Sequence, residues 1–245
     1  MVLPLCCFFV IGGMIVIAER YYSGLDANGL EVEIFPEEVD FVREEAINQK
    51  LQEAGNAQLA GFHLGNVDKK SIEKAINNHS YVEDVRAYSL LTGEVRVEVR
   101  QKIPFFRVIN KEGESFYVDR KGSKIPEAGH YSYHCLVVRG DIDEPSAEAD
   151  TFATEVMEET YKAVRAIEED PFVKRLTGEL NYFEERGMKI IPRIGDAKII
   201  LGDVRNLQGK FQKLTHFYQQ TLPEKGWNTY STINLQFENQ IIAKR

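Results

Sequence analysis

The chain has 245 residues, with 38 Asp and Glu against 30 Lys and Arg for a formal charge of −8. No basic stripe is available to neutralise phosphates, which argues against a nucleic-acid partner. Cysteine is scarce: Cys6 and Cys7 lie in the first apolar stretch and Cys135 stands alone in the rest. No disulfide can form within that remainder, so its stability must come from a hydrophobic core.

Met1 to Ala18, MVLPLCCFFVIGGMIVIA, is uncharged and apolar. As a helix it would span roughly 27 Å, the short end of a single pass across a hydrocarbon core about 30 Å thick. A transmembrane anchor is the favoured reading, and a cleaved secretory signal the alternative. The second lacks a basic residue before the apolar run, although Val16-Ile17-Ala18 could serve as a cleavage site. Arg20, the only nearby cation, stands on the exported side, against the positive-inside tendency. A basic stretch upstream of Met1 would remove that conflict.

Residues 19–29 read as a linker. Leu30 to Phe35 alternates apolar and acidic residues like a half-buried strand. Ala46, Ile47, Leu51 and Ala54 fall at helical spacing, with Gly55 as a stop. Asp68 is placed to cap a second helix carrying Ile72, Ala75 and Ile76. Tyr81 to Leu90 then runs through a Thr92-Gly93 turn into Glu94 to Arg100. There Val95, Val97 and Val99 face one way and four charged residues the other. This order, strand, helix, helix, strand, strand, predicts a small α+β domain over 30–103 with both helices on one sheet face.

From 104 to 245 the pattern is rich in strands. Phe105 to Ile109, Ser115 to Val118 and Leu136 to Val138 precede a helix carrying Phe152, Val156, Val164 and Ile167, which Asp170-Pro171 ends. Glu179 to Phe183, Met188 to Ile194 and Lys198 to Leu201 form a meander. A last helix holds Phe211, Leu214, Phe217 and Tyr218, and one final strand runs from Tyr230 to Ile242. The fold class expected is thus α+β: an N-terminal transmembrane helix, the small domain, then a mixed β domain with two long helices.

Chemical motifs are few. His130, His134 and Cys135 offer donor atoms, but a zinc site needs a convergent set and no second ligand pair exists, so a turn entering a strand is expected. Asp141-Ile142-Asp143-Glu144 lacks the glycine and distal glutamate of a calcium loop and reads as a solvated turn. Cys135 reads as an inert buried thiol. Nucleophile elbows, HExxH helices and phosphate-cradling glycine loops are absent. No catalytic, cofactor or metal residue is expected.

The final strand is more specific. Ile233, Leu235 and Phe237 alternate with Thr232, Asn234, Gln236 and Glu238. At a sheet edge, its unpaired amides and carbonyls would be a template for another chain. An ordinary strand with both neighbours in its own domain fits the pattern equally well.

The order of these pieces resembles the FtsQ/DivIB family of bacterial division proteins. Residues 64–104, with Val82 and Val85 at the strand entry, look like that family's POTRA domain. Phe116-Tyr117-Val118-Asp119 with Gly122 matches its next hairpin. Lys198 to Gly202, Lys210, Lys213-Leu214, Phe217-Tyr218 and Gly226-Trp227 match its closing half. The ending, Tyr230 to Gln240, is close to Bacteroidetes-like members.

The resemblance implies a non-enzymatic divisome scaffold: a single-pass inner-membrane protein, N-terminus cytoplasmic and bulk periplasmic. Its implied partners are FtsB- and FtsL-type coiled-coil proteins and other divisome components, linking them to septal wall synthesis, with the POTRA unit aiding recruitment. The family's partner contact is strand addition, which carried onto this sequence means Trp227, Tyr230, Thr232, Ile233, Asn234, Leu235, Gln236 and Phe237. The chain departs from the pattern at its start, where members carry a basic cytoplasmic tail. A secreted periplasmic protein or enzyme with a cleaved signal is the alternative; a chaperone for outer-membrane assembly is disfavoured because no β-barrel sequence follows.

Overall fold

A computed structural model describes residues 13–14, 24–54, 62–146, 152–238 and 240–245. The expected anchor over 1–18 therefore lies outside the described residues except for Gly13 and Met14, and so does the expected helix stop at Gly55. Among the described residues no helix is long and apolar enough to cross a membrane. The chain divides into two compact units, Met1–Lys102 and Ile103–Arg245.

In the first unit, strand β1 (Gly29–Phe35) leads to helix α1 (Glu44–Glu53), a 3-10 turn (Leu64–Asn66) and helix α2 (Lys69–Asn77). Strands β2 (Val82–Ser89) and β3 (Glu94–Gln101) follow. The sheet order is β1-β3-β2, parallel on one side of β3 and antiparallel on the other. Val95, Val97 and Val99 are fully buried against Ile47 and Leu51 of α1 and Ile72 and Ile76 of α2. The opposite face carries charge, where Arg96 bridges Glu31 at 2.8 Å and Glu33 at 3.2 Å on β1. Asp68 caps α2 by accepting from the Ser71 amide at 3.1 Å.

Val82 and Val85 are both buried although three residues apart, a spacing that puts strand residues on opposite faces. The register shift between Val82 and Asp84 resolves this: an extra residue there rotates the strand by one position. Buried Gln101 closes the unit. Its side-chain oxygen accepts from the Val42 amide at 2.8 Å and its side-chain amide donates to the Val39 carbonyl at 2.5 Å, tethering the irregular segment before α1.

The second unit is built on a nine-stranded mixed sheet. Its strands are β4 (Pro104–Ile109), β5 (Ser115–Asp119), β6 (Lys124–Pro126), β7 (Leu136–Gly140), β8 (Thr177–Phe183), β9 (Gly187–Pro192), β10 (Lys198–Gly202), β11 (Thr232–Asn234) and β12 (Ile242–Lys244). They lie in the order β12-β11-β10-β9-β8-β7-β4-β5-β6. Helices α3 (Glu155–Glu169), α4 (Pro171–Leu176), α5 (Leu207–His216) and α6 (Leu222–Lys225) complete it. Met157, Val164 and Ile167 of α3, Val173 of α4 and Phe211 and Leu214 of α5 share one core with Val108, Val138, Leu180, Ile190 and Ile199 from the strands.

Three expectations change here. Asp170-Pro171 ends α3 but also opens α4: the Asp170 carboxylate accepts from the Phe172 and Val173 amides, both at 2.9 Å, with Pro171 at the first helical position, where no amide is needed. Strand β6, three residues long, is too short for a period to register and is not expected from sequence. And Glu144 is not in a solvated turn. It is buried and ion-paired with buried Lys124. Its other lone pairs accept from the Ala153 amide at 2.9 Å, the Thr154 amide at 3.0 Å and the Thr154 hydroxyl at 2.7 Å. Lys124 also donates to the Pro145 carbonyl at 3.0 Å. Sequence alone could not place the cation, 20 residues upstream, opposite the acid.

The β5–β6 hairpin explains its own motif. Asp119 accepts from the amides of Lys121 and Ser123, both at 2.8 Å, and Gly122 takes a φ of +87° that L side chains rarely adopt.

Burial pushes the Glu144 carboxyl up, but the Lys124 ammonium and the donors of Ala153 and Thr154 outweigh it and hold the pKa below the ordinary 4.5. A depressed folded pKa contributes stability that is complete above about pH 4.5 and is lost as pH falls below it. Glu144→Gln strands Lys124 in the core and is expected to cost about 3–5 kcal/mol at neutral pH. It should also flatten the acid limb of the wild-type stability profile. Urea unfolding followed by the fluorescence of Trp227, the only tryptophan, reads both in this unit.

Candidate partner-binding edge

The expected single strand from Tyr230 to Ile242 is two strands. β11 runs parallel to β10 and antiparallel to β12, so Thr232–Asn234 lies between two neighbours and not at an edge. The physical cause is a reversal after Leu235. Asn234 and Gln236 hold each other there: the Gln236 amide donates to the Asn234 side-chain oxygen at 2.9 Å, and the Asn234 side-chain amide donates to Gln236 at 3.1 Å. Such a side-chain turn competes with ladder pairing. The edge passes to β12, and among the described residues no strand pairs with its far side.

The ladder fixes which groups reach that rim. The Ser231 carbonyl accepts from Lys198 at 3.0 Å and the Leu235 amide donates to Ile200 at 2.9 Å, so by alternation Ile233 between them faces β10. Thr232 and Asn234 are left to face β12, opposite Lys244 and Ile242. By the same alternation, the amide and carbonyl of Ala243 point outward along the free rim. Ser231 closes the near end, its amide donating to the Lys244 carbonyl at 2.8 Å.

The residues singled out from sequence divide by burial. Ile233 and Leu235 are fully buried in the core of the unit. Thr232 and Asn234 are half-buried between strands. Tyr230 packs partly against the core, its ring 5.6 Å from Phe217. Trp227 is 47% exposed, with one edge on Tyr218 at 6.0 Å, and Phe237 is 44% exposed. Gln236 is exposed. The helix leading here widens into a π turn at Phe217–Thr221, which directs Tyr218 into the core and Phe217 toward Tyr230. Ile194, expected as the end of a strand, lies beyond β9 in the following turn and is 62% exposed; its chain neighbour Gly195 lies against the Trp227 backbone.

The histidine-rich stretch behaves as a turn into β7. Among the described residues no three His, Cys, Asp or Glu side chains are grouped to hold a metal. Cys135 is half-buried and not fully enclosed. It lines a cleft of about 300 Å³ with Phe105, Arg120, Glu168, Lys174 and Arg193. Burial pushes its thiol up to about 12, with the nearby Arg107 pulling the other way. At neutral pH it stays protonated, and a thiol is a poor nucleophile.

If Ile233 is a core residue, truncation must be felt by the fold. Ile233→Ala is expected to cost about 2–5 kcal/mol of stability, whereas Phe237→Ala stays within about 0.5 kcal/mol. Equilibrium unfolding of the two variants checks the division.

Residues 103–244 match the family described as FtsQ/DivIB, C-terminal related, and residues 27–100 match a POTRA-like domain. The strand, helix, helix, strand, strand order of the first unit agrees with the second match. Comparison with characterised proteins returns no significant match. With more than half of its length in the first match, the chain belongs to the FtsQ/DivIB family.

Proposed function

We propose that the protein is a non-enzymatic scaffold of bacterial cell division that docks a partner by strand addition on the outer rim of β12. Family membership supports the division role. The observation that carries the docking mode is the rim of β12, a row of backbone groups ending a nine-stranded sheet with no strand beyond it among the described residues. The exposed rings of Trp227 and Phe237, on the segments entering and leaving β11, are the side chains free to add selectivity. In this reading 1–18 is a single inner-membrane anchor, 19–29 a linker, 30–103 the POTRA-like domain and 104–245 the partner-binding domain in the periplasm. The partners are FtsB- and FtsL-type coiled-coil proteins.

Energetics favour a tethered encounter. β12 spans three residues, so a partner strand gains only a few main-chain hydrogen bonds, each worth about 0.5–1.5 kcal/mol net. Anchoring both proteins in one membrane raises their effective concentration and makes a modest intrinsic affinity sufficient.

Proline at position 243 removes the outward amide without touching a bond to β11, and proline is tolerated on edge strands. Ala243→Pro in the full chain, co-expressed with FtsB- and FtsL-type partners in membranes, is expected to lower their capture about tenfold. The Trp227 fluorescence melt should stay unchanged. Undiminished capture by a folded Ala243→Pro variant would remove β12 as the docking strand.

A further inference from the structure

β12 pairs with β11 over three residues only, and the segment that joins the two strands is also held from α5. Lys213, half-buried on α5, reaches out of its helix to the segment joining β11 to β12. Its Nζ donates to the carbonyl of Phe237 and lies 3.5 Å from that of Leu235. Those carbonyls belong to the reversal, beyond the last ladder bond of β11. The neighbouring Lys210 is not available for the task. It is buried, and its Nζ is engaged by the Asp203 carbonyl at 2.7 Å and carboxylate at 2.9 Å.

A second contact seats the same segment. Gly202, at the end of β10, has a φ of +72° and lies beneath the Gln236 side chain; a Cβ there would come within 2.7 Å of Gln236 Cγ. The reversal is thus held from the helix side by a cation on carbonyls and from the sheet side by a side chain laid over a bare backbone. Asp203, Arg205, Lys210, Lys213, Gln236 and Glu238 enclose a cleft of about 210 Å³ around it.

We infer that Lys213 is a positioning residue for the docking edge: by clamping the 235–237 carbonyls it sets β12 against β11 and so presents the free rim. The functional consequence rests on the strand-addition reading above; the clamp itself does not. Arginine at 213 retains donors on a long stem, whereas methionine keeps the apolar stem and loses the donor.

Hydrogen exchange at short labelling times on the full chain separates the possibilities. Lys213→Met is expected to speed exchange across residues 240–245 at least tenfold while β8, β9 and β10 keep their protection. Lys213→Arg should restore most of the slowing. Unchanged exchange at 240–245 would overturn the clamp, and so would a loss of protection throughout the sheet, which would make Lys213 a general core element. The partner-capture assay is run on the same variants. Faster exchange with capture undiminished would leave the clamp standing and sink strand addition at β12. Lost capture with unchanged exchange would overturn the clamp and point to Lys213 touching the partner directly.

Discussion

An open sheet must stop somewhere, and each end leaves a row of backbone groups without a strand to satisfy them. In the second unit the two ends are β6 and β12, each only three residues long. Brevity is itself a defence, since a short rim offers little to a stray strand. What differs is how each end is tied down. β6 begins at Lys124, whose ammonium is buried in a pair with Glu144, so that edge is fastened to the start of α3 through Thr154. β12 has no buried ion pair of its own: Ser231 holds its Lys244 carbonyl, and a side chain from α5 reaches the segment before it.

The buried pair organises more than its own strand. Glu144 gathers the amides of Ala153 and Thr154, and Thr154 in turn caps α3 by accepting from the Met157 amide at 3.3 Å. Asn110 adds the other side, donating to the Glu144 carbonyl at 3.1 Å while its oxygen accepts from the amides of Glu112 and Glu114 in the β4–β5 turn. A charge in the core is tolerable because nearly every lone pair has a donor. The acidic end of the pH range is where this arrangement comes apart. Asp203 is likewise held low, at about 2, by Lys210 and Arg205.

Where local pattern and global fold agree, the sequence could be read. Alternation over Val95, Val97 and Val99 and the Asp68 cap were enough for the first unit, because its core is built from periodic elements with short connections. The order of strands in the meander was legible for the same reason. The failures fall on contacts made at a distance. Glu144 reads as wet because its cation sits on β6, 20 residues away in sequence, and α4 is hidden because Asp170-Pro171 serves as both a stop and a start. The candidate site suffered most. Its alternation correctly marked Ile233 and Leu235 as apolar on one face, but no glycine or proline announces the reversal after them. A side-chain turn between Asn234 and Gln236 and a lysine more than 20 residues upstream do that work, and neither has a period.

The three-residue length of β12 has a consequence for time as well as strength. A grip of only a few ladder bonds lets go quickly, because dissociation rate is where most differences in affinity reside. In the strand-addition proposal, such a complex would form when the partners are crowded together and dissolve when they disperse, with no need for an energy source to pull it apart.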